Sequence, residues 1–380
     1  MRFGANYVPR VGWWHAWMDW RPEEIRRDLE ALAGLGMDHV RIHLLWPVFQ
    51  PNENRVSARA LDHLAELMDL AYQAGLDVWI TVLDGWLSGF AFVPAWMEKT
   101  ATREKLNMFT SPEAIAAEER LFRALADRIH DHPRFKGFDL GNELGVMAHF
   151  GHPHSSAEAD SWSGRMFELL AEISPDRDHV NGVDHSHWFG DFSFSRSALA
   201  HQGAMTVLHC WSLFTGALER GRRETEDLIP FMSAWARAHN PDPSRRIWVQ
   251  EFGFSQQWME TPWIVEAGLS QEEIMAVQVR AAHGSGAWGI TVWCSHDLEP
   301  DLLGFHPLEY DLGLIDTHGR VKPVGRRVAE EVARLRDVPA PAPGASVEAI
   351  AGEDTWTIAE RWMATPQGPA IRLREPKSNS

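Results

Sequence analysis

The chain has 380 residues, 44% of them hydrophobic, and a formal net charge of −17: enough apolar content for a large core, and the wrong sign for nucleic acid or an anionic membrane surface, which select basic patches. No run approaches the ~20 apolar residues that a membrane span requires. The only cysteines, Cys210 and Cys294, suit a reducing compartment with no disulfide framework, and the opening from Met1 to Tyr7 shows no charged-then-apolar leader, so a cytoplasmic enzyme is expected.

Apolar strand-like runs alternate with amphipathic helical stretches along the chain. A strand at Gly4 to Val8 leads to a helix over Arg21 to Leu35, with Pro22 in its first turn and Leu29, Leu32 and Leu35 on one face. Strands follow at His39 to Leu44, Asp77 to Leu83, Phe135 to Leu140, His179 to Val183, Met205 to His209, Ile247 to Glu251 and Gly289 to Trp293. Between and after them the periodicity predicts helices over Ala58 to Ala74, Ser111 to Asp131, Ala157 to Ile173, Glu226 to His239, Ser270 to Gly284 and Pro323 to Leu335. Eight strands in this pattern close a (β/α)8 TIM barrel, an α/β fold, with the site on the loops after the strands. Long loops at Trp86 to Thr110, Gly145 to Ala157 and Cys294 to Leu314 would stand there. We therefore expect a catalytic barrel over residues 1–338. A Pro-rich linker and short extension over 339–380 would follow, with a small β addition near Ala370 to Leu373 and a frayed end at Lys377 to Ser380.

Two segments carry the chemistry. Phe138-Asp139-Leu140-Gly141-Asn142-Glu143 and Ile247-Trp248-Val249-Gln250-Glu251 each end an apolar strand on a glutamate. A carboxylate there is costly unless chemistry needs it, because burial disfavours its charged form. Two facing carboxylates are the machinery of a glycosidase, and ~5 Å between them means retention of configuration. The plainer reading is a pair of ordinary ion-paired carboxylates. Tryptophan is over-represented, with 19 residues against 3 tyrosines. Trp46, Trp86, Trp188, Trp211 and Trp293 lie at or just after strand ends, where flat rings could either fill the core or stack on a pyranose.

With the glutamates on the fourth and seventh strands, residues 1 to 335 resemble the clan of retaining (β/α)8 glycosidases, and glycoside hydrolase family 5 in particular. The resemblance implies that Glu143 is the acid/base, that Asn142 contacts the sugar 2-hydroxyl and that Glu251 is the nucleophile. It further implies that Arg41 orients the nucleophile, His209 is the active-site histidine and Trp293 floors the subsite of the cleaved sugar. The stretch from Tyr310 to Asp316 looks like the loop that closes such barrels. One position departs from the family: two residues after His209 the usual Tyr is Trp211, which keeps an N–H donor but has no phenolic hydroxyl. The segments Asn6-Tyr7-Val8-Pro9, Trp13-Trp14-His15-Ala16-Trp17 and Leu45-Trp46-Pro47 look like a branch of bacterial β-mannosidases associated with Man-β-1,4-GlcNAc. The implied reaction is exo-cleavage of a short β-mannoside, with a small oligosaccharide as partner and no cofactor.

Asp84, Trp86, His43 and Trp46, after the third and second strands, are further candidates for sugar contact. Asp184 and Asn181 around the fifth strand are less decidable. His185-Ser186-His187, an H-x-H on an expected strand end, would place both rings on one face, and His149, His152 and His154 cluster nearby in sequence. That pattern admits a zinc hydrolase, but metal-dependent barrels of the amidohydrolase kind carry H-x-H on the first strand, where this chain has Asn6-Tyr7-Val8. We therefore expect no metal, with His187 as a hydrogen-bonding or sugar-contact group. Two further readings stay open: an endo-acting mannanase or glucanase of the same fold, and a sugar-binding barrel without turnover.

Overall fold

In the computed structural model, which describes residues 1–102, 104–240, 242–342, 345–365 and 368–374, eight parallel strands surround one core. They are Arg2–Tyr7, His39–His43, Asp77–Leu83, Phe135–Asn142, Val180–Gly182, Thr206–His209, Ile247–Phe252 and Gly289–Val292. Counted in chain order, they lie side by side as 6-7-8-1-2-3-4-5. The fifth and sixth strands share no ladder, but the Ala204 N–H just before the sixth donates to His179 O just before the fifth at 2.8 Å. This is the expected (β/α)8 barrel, with strand ends displaced by one or two residues.

The helices begin where local chemistry supplies partners for their free N–H groups. Ser155 with Glu158 and Ser270 with Glu273 form capping boxes ahead of the helices Ser156–Ile173 and Gln271–Gly284. Pro22, Pro112 and Pro323 open three others at positions whose N–H would be unpaired anyway. The helix expected from Glu226 begins at Arg222, because Arg222 pairs with Glu226 one turn on at 2.7 Å and carries the helix back through the acidic run. No helix among the described residues is long and apolar enough to cross a membrane.

Several tryptophans belong to the core. Trp79 and Trp248 pack 5.1 Å apart at the lower end of the barrel, with Trp248 donating to Thr291 Oγ1 at 2.7 Å. Trp46 and Trp188 are wholly buried as well. Beyond residue 338 the chain builds a β-α-β unit: the strands Ser346–Ile350 and Ala370–Arg374 pair in parallel around the helix Thr355–Met363. Its Ile358, Trp362 and Ile371 join the barrel's core. The strand Ala370–Arg374 covers the alternating Ala370 to Leu373; the helix was not foreseen. Lys377 to Ser380 lie outside the described residues.

Candidate active site

Arg41 organises the upper barrel. It is fully buried on the second strand, and its guanidinium makes four distinct contacts. Nε and Nη2 reach Asp139 Oδ2 at 2.9 and 2.8 Å, Nη1 donates to Asn6 Oδ1 at 3.0 Å and to Glu251 Oε1 at 2.7 Å, and Nη2 donates to Asn142 Oδ1 at 2.9 Å. Asp139 also accepts from Thr81 Oγ1 at 3.1 Å and the Gly182 N–H at 2.6 Å. A buried cation needs such a ring of acceptors to offset its lost hydration. Glycine is required at 182 because a Cβ there would lie 2.7 Å from both Asp139 Oδ2 and Gln250 Oε1.

Glu143 follows the last residue of the fourth strand in a left-handed conformation, φ 48°, which turns its side chain across the barrel mouth. Its Oε1 lies 2.8 Å from His209 Nδ1, and that nitrogen is also 3.4 Å from Glu251 Oε2. One oxygen of each glutamate and a ring nitrogen of His209 all lie within 4.8 Å of one another. Burial pushes the Glu143 carboxyl above its ordinary value, and the charge of Glu251 adds to the rise. His209 moves upward too: burial alone would lower it, but the two carboxylates hold its protonated form.

The remaining oxygen of Glu251 meets Trp211, whose indole N–H donates to Oε2 at 3.2 Å. Trp293, after the eighth strand, lies edge-on to His43 at 5.4 Å and to Trp13 at 6.2 Å. Asn142 spends one N–H on Trp86 O at 3.0 Å, linking the loop after the third strand to the fourth. Trp86 is half-buried and stacks on exposed Phe150 at 5.0 Å.

Three expected contacts are placed differently. Trp46 packs in the core against Trp96 and donates to Gln50 Oε1 at 2.9 Å, so it offers no face to a sugar. Asp84 is wholly buried, with Oδ1 3.3 Å from His43 Nδ1, and backs that histidine from below. The H-x-H segment is not on a strand, because the short fifth strand ends at Gly182 and Ser186–Phe189 is helical. Neighbours two apart on a helix point to nearly opposite sides, and His187 is buried beside Phe192 and Phe194. His152 and His154 bond locally, to the Met108 N–H at 3.2 Å and Ser193 Oγ at 2.6 Å.

Among the described residues, the one group with chelating proximity is Glu143, His209 and Glu251 itself. Its donor atoms are already engaged: Arg41 holds Glu251, and both ring nitrogens of His209 face oxygens, Glu143 Oε1 at 2.8 Å and Gln250 Oε1 at 3.0 Å. The set fits a proton-bearing network better than a cation.

Reading residues in order missed Asp139, although a charge inside Phe138-Asp139-Leu140 was a signal. It also missed Glu309, which no strand or motif marks. Glu309 Oε2 accepts from Trp293 Nε1 and from Ser88 Oγ, each at 3.3 Å. Around it the loops after the first, third and eighth strands are knit together: Trp14 packs on Phe90, Phe92 and Phe305 at 5.2, 4.7 and 4.8 Å, and the Gly12 N–H donates to Glu299 Oε2 at 2.8 Å.

No protein-family profile and no curated protein sequence matches the chain. Solved structures do. The chain is similar to GH5_18 from Streptomyces cattleya in complex with GlcNAc, at 35% identity over 98% of this chain and 93% of that one, with a TM-score of 0.89. A variant of GH5_18 from the same organism, in complex with Manb1-4GlcNAc, gives 34% identity, 98% and 94% coverage and a TM-score of 0.90. GH5_18 from Bifidobacterium longum subsp. infantis gives 31% identity, 98% and 91% coverage and a TM-score of 0.89.

Proposed function

The chain belongs to subfamily 18 of glycoside hydrolase family 5 and is a glycosidase, and from that premise we propose that it is a retaining, exo-acting β-mannosidase that cleaves Man-β-1,4-GlcNAc. The observation that carries the reaction type is the approach of Glu143 and Glu251 to within 4.8 Å, oxygen to oxygen, which leaves no room for a water between carboxylate and sugar and favours direct attack. The substrate assignment is supported by the complex of a 34%-identical GH5_18 structure with Manb1-4GlcNAc.

Glu251 attacks the anomeric carbon while Arg41 and Trp211 hold its two oxygens in line. Glu143, protonated through burial and the neighbouring negative charge, donates its proton to the leaving oxygen. Formation of the glycosyl-Glu251 ester removes that negative charge, and Glu143 then accepts a proton from the water that hydrolyses the ester. His209 bridges both carboxylates, with Nδ1 2.8 Å from Glu143 Oε1 and 3.4 Å from Glu251 Oε2, and their charge favours its protonated form. Trp293 floors the ring of the cleaved sugar and Asn142 faces its 2-hydroxyl.

Exo action is supported by the wall of Trp14, Phe90, Phe92 and Phe305, which joins the loops after the first, third and eighth strands. Glu143 delivers its proton from the fourth strand, and exposed Phe150 and Phe214 stand on the loops after the fourth and sixth strands. The two buried, unpaired thiols of Cys210 and Cys294 suit a reducing interior, and we place the reaction in the cytoplasm, downstream of N-glycan breakdown. The test is hydrolysis of Man-β-1,4-GlcNAc beside mannobiose, cellobiose and soluble mannan, with the first-formed anomer followed by proton NMR. β-Mannose released from the first substrate is expected; cleavage of polymer alone, or α-mannose as first product, would overturn the reading.

A further inference from the structure

Glu309 is half-buried on the loop after the eighth strand, and both of its hydrogen bonds go to one oxygen, Oε2. Among the described residues Oε1 makes no hydrogen bond and no Lys or Arg pairs with the carboxyl. A third acid at the edge of a site that already holds two is disfavoured in its charged form, and Oε1 stays accessible to a donor. A glutamine would serve Trp293 and Ser88 as well, since a neutral carbonyl accepts from both.

The position says what the donor is. Trp293 donates to Glu309 and lies edge-on to His43, so Glu309 stands at the margin of the ring that floors the cleaved sugar. Ser88, its second partner, is held at φ 48° ahead of Gly89 at φ 86°, in a tight turn whose Phe90 joins the aromatic wall. On the exo-acting reading, the end of the terminal sugar that meets this wall is the one remote from the bond being broken. We infer that Glu309 is a specificity-determining residue, which hydrogen-bonds the terminal sugar's O4 and O6 hydroxyls and with Ser88 marks the closed end of the cleft. The inference rests on the β-mannosidase reading and adds to it the group that reads the chain end.

The electrostatics agree. Burial, with Glu251 and Glu143 adding, raises the Glu309 carboxyl to about 7, so near neutrality both protonation states are populated and the group can accept from one hydroxyl or donate to another.

The test is a cycle between side chain and substrate. kcat/KM is measured for the wild type, Glu309→Ala and Glu309→Gln on p-nitrophenyl β-mannoside and its 4-deoxy and 6-deoxy analogues. Removing a hydroxyl that a carboxyl holds is expected to cost the wild type about 10- to 100-fold, and Glu309→Ala no more than about 3-fold for at least one analogue, because the partner is already gone. In Glu309→Gln, which still accepts from Trp293, the penalty should be intermediate, since the charge-assisted bond has become neutral; this variant carries the test if the alanine form does not fold. Equal penalties in wild type and both variants would overturn the inference and leave Glu309 as a prop for Trp293. Failure of the wild type to turn over the parent mannoside would overturn the β-mannosidase reading, and the inference with it.

Discussion

Trp211 donates its indole N–H to Glu251 Oε2 at 3.2 Å, the oxygen that Arg41 leaves free. The two donors divide the carboxylate between them, so its plane is fixed from both sides, and the indole stands where the resemblance to family 5 implies a tyrosine. A hydrogen bond to a charged group contributes about 1.5–3 kcal/mol, so Trp211→Phe should lower kcat/KM by roughly 10- to 100-fold. Trp211→Tyr should keep more activity than Trp211→Phe because it keeps a donor. Equal loss in both variants would show that the ring's bulk, not its N–H, is what matters.

The basic limb of the rate profile is expected to belong to Glu143. The Glu143 carboxyl is raised by burial and by Glu251, and in the general-acid role proposed above it works only while protonated. Activity should therefore persist above the ordinary glutamate value of about 4.3 and fall as pH rises through the raised one. Glu143→Gln, assayed on an activated aryl mannoside that needs little protonation, should lose this basic limb, and azide should restore turnover of the glycosyl-enzyme. A basic limb unchanged in the variant would assign it to another group.

Asp139 predicts a stability effect as well as a catalytic one. It is fully buried and pairs with Arg41 at 2.8 Å, and removing one partner of such a pair strands the other. Asp139→Ala should cost on the order of 3–5 kcal/mol and lower the thermal midpoint, with activity falling at temperatures where the protein is still folded because Arg41 no longer aims at Glu251. Asp139→Asn, which still accepts hydrogen bonds, should be milder on both counts. An unchanged melting temperature in the alanine variant would mean that Glu251, Asn6 and Asn142 suffice to hold the guanidinium.

What the sequence made legible follows periodicity. All eight strands and the Asn142-Glu143 and Glu251 positions were readable, because a buried strand needs an apolar run and its last residue is placed by where that run stops. His185 and His187 were misread for the same reason inverted: the fifth strand has only three residues, and the chain turns helical before the H-x-H is reached. Trp46 looked like a rim residue, but Pro47 starts a short helical turn there that folds the ring inward. Glu309 was invisible because its placement depends on Ser88 and Trp293, 221 and 16 residues away. The short helix Thr355–Met363 is defined by packing against Arg222–His239, where Trp362 meets Phe231 at 5.9 Å, and local pattern alone carried little of that.

That C-terminal helix also reaches the site. Trp356 donates its N–H to Thr215 O at 3.1 Å and lies under Arg220, 4.2 Å from guanidinium carbon to ring centre. Thr215 in turn donates to Trp211 O twice, from its N–H at 3.1 Å and its hydroxyl at 2.9 Å. A line of hydrogen bonds thus runs from the tail to the residue that holds Glu251. Trp356→Ala should lower kcat by roughly 3- to 10-fold with little change in KM, well short of the ~100-fold that a full 1 Å misplacement can cost. If the effect travels through Trp211, then adding Trp356→Ala to Trp211→Phe should change little further, since the donor it positions is already gone. Full additivity in that pair would instead mean that the tail supports the barrel generally and that its contact with the Thr215 loop has no share in catalysis.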